Sequence, residues 1–214
     1  MSEQPAGNAA PPPSVIYVIR HGEKPADPPV LAPGQAPPAP APPFGIDFQG
    51  NQDPHSLLPR GWQRSGALAV LFDPAVGGLR AGLQTPATLL SPDYGSSDKT
   101  TAHRTYQTIQ GLSDRLAVPI VSAFAEGDEP ALAASVVSGN SGVVLICWEH
   151  DHIPALATAL PTVPGTVIPQ PWPGDRFDVI FVFTLVPGSA PARYTFSQIP
   201  QQLLSGDSDT VISA

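Results

Sequence analysis

Cysteine is almost absent. Cys147 is the only one in 214 residues, which excludes an intramolecular disulfide and any cysteine-based metal cluster. It sits inside the apolar run VVLICW, so a buried, inert thiol is expected. Cations are scarce as well: 10 Lys and Arg stand against 18 Asp and Glu, for a net charge of −8. Such a chain carries no broad basic field, so nucleic acid and anionic membrane surfaces are not expected partners, and each arginine becomes more informative. No apolar run reaches membrane-spanning length. Residues 1–14 lack a basic start followed by an apolar stretch, which predicts a soluble, cytoplasmic protein without a signal peptide. The GxxxxGK[ST] phosphate loop and any internal repeat are missing too.

Proline is what the chain has in excess, 29 in all, unevenly placed. Residues 1–13 are polar and proline-bearing and read as a flexible tail. Residues 25–54 begin with a Pro/Ala tract that buries little, so they are expected to form an extended or disordered insertion, a lid or a spacer, in a single domain spanning 14–200. The last residues, 201–214, carry Ser, Asp and Gln and are expected to fray.

Between these stretches, strands and helices alternate. Residues 15–19 (VIYVI) and 143–148 (VVLICW) are unbroken β-favouring runs of the kind buried on both faces of a sheet. Helical spacing predicts helices over 57–72, over 98–116 with Asp98 or Thr100 as N-cap, over 128–137 with Pro130 in the first turn, and over 153–160. Short strands are expected at 88–91 and within 118–124. Two late strands, 178–185 and 193–199, are expected to form an antiparallel pair around Pro187-Gly188. The predicted class is α/β, a layered domain with a mostly parallel central sheet and a late antiparallel hairpin. In open sheets of this type ligands bind at the carboxyl ends of strands. Arg20-His21 ends one strong strand and Glu149-His150-Asp151 follows the other.

Three pieces thus line up in order: Arg20-His21-Gly22, Arg104 within the segment TTAHRTYQTIQGL, and His150. With their context (RHGEKP, PRGWQRSGALA, HRTYQT), they resemble the histidine phosphatase superfamily, the phosphoglycerate mutase-like proteins, and in particular its small bacterial-type phosphatases. The resemblance runs from Val15 to about Leu160. It implies a three-layer α/β/α fold, a phosphohistidine formed on His21, phosphoryl oxygens bound by Arg20 and Arg104, and His150 as the second histidine of the phosphate pocket. It also implies no metal and no organic cofactor. Lys24 is either an additional phosphate ligand or a solvated loop lysine. The general acid is left between two branches of the family. Asp151, next to His150, matches one branch, while Glu126 (or, less well, Asp128 or Glu129) matches the other.

The residue types suit that chemistry on their own terms. Phosphoryl transfer spreads charge over three equatorial oxygens, which guanidinium groups match bidentately without ever losing charge. An imidazole nucleophile must be neutral at the attacking nitrogen; nearby cations lower its pKa, and a hydrogen bond at the other nitrogen fixes the tautomer. The expected function is hydrolysis of a small phosphate monoester. A phospho-ligand binding module or inactive relative is the alternative, and a mutase-type phosphotransferase is disfavoured because RHGE continues here as Lys24-Pro25-Ala26. His55, His103 and His152 are expected to lie outside the chemistry. His150 and His152 have a spacing that could serve a metal, but no third ligand of matching context accompanies them. Trp62 and Trp148 are expected in the core or the pocket wall, and Glu23 and Glu149 either orient substrate or meet solvent.

Overall fold

The computed structural model describes residues 11–26, 29, 31–36, 38, 39, 41–93 and 103–213. Its centre is a pair of parallel strands, β1 (Val15–Arg20) and β4 (Val143–Trp148), every residue of which is buried. Apolar runs without alternation need cover on both faces, and only the middle of a layered sheet supplies it. The six strands lie in the order β3-β2-β4-β1-β5-β6, with β2 at Thr88–Leu90, β3 at Ile120–Val121, β5 at Val179–Leu185 and β6 at Tyr194–Pro200. Pairings among β1 to β4 are parallel, while β5 is antiparallel to both β1 and β6, so β5 alone runs against the rest. The expected class is therefore observed, late hairpin included.

Side chains along β1 point alternately to opposite faces, as the pleat requires. Val15, Tyr17 and Ile19 pack with Leu68, Ala69 and Phe72 of α1 (Pro59–Phe72) and with Ile109 and Leu112 of α2 (Arg104–Leu116). Ile16 and Val18 pack with Leu132, Ala133 and Val136 of α3 (Glu129–Gly139) and with Ile153, Leu156 and Ala157 of α4 (Ile153–Ala159). Two apolar cores thus sandwich one sheet, giving three layers. Each fully buried aliphatic or aromatic side chain contributes about 1.5–3 kcal/mol to holding them together. No helix among the described residues is long and apolar enough to cross a membrane.

Several boundaries shift for local reasons. α1 starts at Pro59 rather than at residue 57, since proline has no N–H to leave orphaned in a first turn. The expected caps Asp98 and Thr100 lie outside the described residues, and α2 is described from Arg104. Of the 118–124 segment, only two residues pair with β2. The end of the 25–54 insertion is tied down: Ile46 and Gln52 form a bridge, the Trp62 indole N–H donates to the Ile46 carbonyl at 2.8 Å, and Phe48 stacks edge-on against Trp62. Trp62 is therefore a docking post for the insertion rather than a core residue.

The C-terminal segment, expected to fray, is packed instead. Gln201 and Ile212 are buried, and the Arg176 guanidinium donates to the Thr210 carbonyl. Asp207 accepts two bonds from the buried Arg64, whose fork also takes Glu23 and the Gln201 side chain. Burial disfavours charge on Arg64 and Asp207. The paired bonds overcome it, pushing the Arg64 pKa up and, with the Leu203 and Leu204 N–H groups, holding the Asp207 carboxyl at about 2. Composition could not show this clasp, because its partners are some 40 and 143 residues from Arg64.

Removing Asp207 leaves Arg64 buried with half its countercharge. Asp207→Ala should destabilise the protein by about 3 kcal/mol, read from the denaturant midpoint. Since the folded-state pKa of Asp207 lies below the ordinary carboxylate value, its stabilisation is complete above that value and fades as pH falls toward 2. Asp207→Asn should flatten that acid limb, and an unchanged limb would place the acid sensitivity elsewhere.

Candidate active site

The register of the central pair decides what meets at its carboxyl end. Arg20 lies opposite Trp148, so the next residues, His21-Gly22 on one strand and Glu149-His150 on the other, leave the sheet side by side. The His21 loop is then fixed from two directions. The Gly22 N–H donates to Thr108 Oγ1 at 2.7 Å, and Thr108 Oγ1 donates to the Arg104 carbonyl at 2.6 Å, which ties the loop to the first turn of α2. On the other side Gly61 of α1 comes so close that a Cβ there would stand 2.5 Å from the Glu23 carbonyl oxygen. Only glycine permits that approach.

His21 is 2% exposed. Its Nδ1 lies 2.7 Å from the Gly22 carbonyl oxygen, which can only accept, so Nδ1 carries the hydrogen and Nε2 the lone pair. Burial first, then the charges of Arg20 and Arg104, push its pKa down to about 3, against the opposing pull of the Gly22 carbonyl and Glu149. The imidazole is thus neutral at any ordinary pH, with a free lone pair on one defined nitrogen.

Around it the structure gathers Arg20, Arg104, Glu149 and His150. Arg20 is 1% exposed; its Nη1 donates to the carbonyls of Pro173, Gly174 and Arg176, and its guanidinium sits 3.9 Å from the Phe177 ring centroid. Such a stacked, carbonyl-held fork has little rotational freedom left. Arg104 Nη2 donates to the Pro54 carbonyl at 2.9 Å, so the end of the insertion braces the second arginine. The His150 ring stands edge-on to His21, with centroids 6.1 Å apart. Its Nδ1 is hydrogen-bonded to Glu149 Oε1, and its Nε2 is 3.5 Å from Asp151 Oδ1.

Glu149 is the residue that sequence reasoning undervalued. Its Oε1 lies 4.0 Å from His21 Nε2, and its Oε2 accepts the Asp151 main-chain N–H at 2.7 Å. Burial opposes its charge, yet the bonds from His150 and from the Asp151 N–H hold the carboxyl at about 2. The available signal was its place directly after a fully buried strand, but only the β1–β4 register turns that place toward His21. Phe177, 6.0 Å from the His21 ring, was missed as well and carries no motif.

The other expectations separate. The Asp151 side chain is 77% exposed, at the rim beyond His150. Lys24 is half-buried three residues past His21, and Glu126 is exposed in the turn before α3. Glu23 is buried rather than solvent-facing, its carboxylate bound to Arg64 and Arg60. His152 lies 3.0 Å from Glu129, which also accepts the Trp148 indole N–H. Trp148 is fully buried in the core, as expected.

One atom from each of His21, Glu149 and His150 falls within 4.8 Å of the others, a set that could in principle ligate a metal ion. The surroundings oppose it. His150 Nδ1 is engaged with Glu149, and two guanidinium charges act on His21, so the field favours an anion. The larger of two surface cavities, about 460 Å³, lies away from this chemistry, lined by Ala67, Val70, Leu71 and Pro74 among others. A smaller one of about 220 Å³ borders the site through Glu23 and Phe177.

No protein-family model and no curated protein matches the chain. Among solved structures it is similar to Mycobacterial hydrolase 1, at 15% identity and a TM-score of 0.46, over 86% of this chain and 97% of that one. It is also similar to a protein from Agrobacterium tumefaciens described as a candidate phosphohistidine phosphatase, SixA. That match has 18% identity and a TM-score of 0.40, over 86% of this chain and 98% of that one.

With a pKa near 3, the His21 ring should show no titration between pH 5 and 8 in NMR spectra, and its nitrogen shifts should report the Nδ1–H tautomer. A His21 midpoint near the ordinary value of about 6.5 would refute the buried neutral state.

Proposed function

We propose that the protein is a phosphatase that hydrolyses a small phosphate monoester through a phosphohistidine on His21. One observation carries the reading: a buried imidazole with its lone pair fixed on Nε2, under the charge of two arginines. Nucleophilic attack needs the neutral ring, and the arriving phosphoryl group needs fixed positive charge. The site supplies both without asking the nucleophile to lose a proton. Nε2 attacks phosphorus as the ester P–O bond breaks and the alcohol leaves with a proton. Water then attacks the phosphohistidine, releasing inorganic phosphate and restoring His21.

In this reading Arg20 and Arg104 hold the phosphoryl oxygens, and His150 lies beside the group being transferred. Lys24, further along the His21 loop, is a second-rank phosphate ligand. The resemblance of RHGEKP, HRTYQT and the His150 segment to the histidine phosphatases supports the same roles. The proline-rich insertion, whose end braces Arg104 and Trp62, shapes the entrance.

His21→Ala should abolish release of 4-nitrophenol from 4-nitrophenyl phosphate and the acid-labile phosphoenzyme seen after quenching. Arg104→Ala should lower kcat/KM by about 10²–10³-fold, the usual loss when one preorganised charge-stabilising donor is removed. A His21→Ala protein that keeps most of its turnover and labelling would disprove the assignment. Phosphate binding by the wild type without turnover would make the protein a binding module instead.

A further inference from the structure

Among the described residues, the carboxylate nearest His21 Nε2 is Glu149, and it stands where an incoming phosphoryl group must come close. Its Oε1 is 4.0 Å from His21 Nε2, and the group is held from two sides, by His150 Nδ1 on Oε1 and by the Asp151 N–H on Oε2. Its side chain is 23% exposed, whereas that of Asp151 is 77% exposed and points to the rim. Among the described residues, the other charged and titratable groups assigned to the site are His21 and Arg20 from the end of β1, Lys24 from the loop after it, Arg104 from α2, and His150 and Asp151 from the same loop as Glu149. A phosphoryl dianion docked on Nε2 sets two negative groups almost in contact, and like charges at that range cannot both stay ionised. The two-sided anchoring resists a swing away, so the relief open to the site is a proton.

Resting on the phosphatase reading, we propose that Glu149 is the proton carrier of the reaction. It takes up one proton when the phosphoryl group enters and passes it to the ester oxygen as the P–O bond breaks and the Nε2–P bond forms. The regenerated carboxylate then accepts a proton from the water that attacks the phosphohistidine, and returns it to solvent once phosphate departs. Each proton is accounted for, and no co-reactant beyond water is needed. In the ligand-free pocket the carboxyl is ionised, so the proton arrives with the ligand or from solvent rather than being stored. This assignment replaces Asp151 and Glu126 with a residue one atom layer from the nucleophile.

The first test needs no variant. Inorganic sulfate stays a dianion at pH 7, so any proton taken up on its binding belongs to the protein. Calorimetric titration in two buffers of different ionisation enthalpy should give an uptake approaching one proton for the wild type and for Asp151→Asn, and close to none for Glu149→Gln. The second test compares leaving groups. Glu149→Gln should lower kcat/KM for phenyl phosphate by about 10²–10³-fold but that for 4-nitrophenyl phosphate by under about tenfold, since the better leaving group needs little protonation. No uptake by the wild type, uptake that survives in Glu149→Gln, or a leaving-group split that appears in Asp151→Asn instead each overturns the proposal. The phosphatase reading still stands in those cases if His21 is labelled and the wild type turns over. A wild type with neither turnover nor a labelled His21 removes both.

Discussion

Everything at this site depends on the parallel pairing of β1 with β4. Two fully buried, largely apolar strands, distant in sequence, can satisfy their backbone groups and bury both faces only by lying together in the middle of the sheet. The register that results brings the ends of the two strands level. The His21 loop and the Glu149-His150 segment then emerge as neighbours. Had the pairing slipped by one residue, side chains would exchange faces and His21 would no longer meet Glu149.

The electrostatics follow from that placement. A ring sunk at the strand end, with guanidiniums on two sides, remains neutral because protonating it would add a third positive charge in a poorly solvated spot. Among the described residues, Glu149 is the carboxylate whose charge acts on His21, and it balances part of that field. The pocket resembles an anion site already holding a tethered anion, with the carboxylate standing in for charge that a ligand would bring. His150 links that carboxylate to the rim, where Asp151 meets solvent.

A second network ties the segment that follows His21 to the C-terminal part of the molecule. Glu23 is bound to Arg64, Arg64 to Asp207, and Asp207 to the main chain at Leu203 and Leu204. The C-terminal segment therefore reaches to within two residues of His21 through three charged groups. Arg20 is anchored independently by the carbonyls before β5. The site is thus supported by chain from both halves of the molecule, although its residues cluster at the carboxyl ends of the two central strands.

The layered α/β class, the strong central strands, the antiparallel hairpin and the Arg20, His21, Arg104 and His150 constellation were all legible in the sequence. The strands and helices rest on apolar periodicity, and the grouping of site residues rests on residue types at two strand ends together with the resemblance of RHGEKP, HRTYQT and the His150 segment to the histidine phosphatases. The docking of Trp62, the ordered C-terminal clasp and the approach of Glu149 to His21 were not legible. Those arise from contacts between segments far apart in sequence, where composition says only that a residue is polar or small. Ser, Asp and Gln at the chain end look like a tail until a buried arginine supplies their partner. In the sequence Glu149 either orients a substrate or meets solvent, and strand register turns it toward His21. Local pattern determined what each segment could be, and tertiary packing decided which charges would face one another.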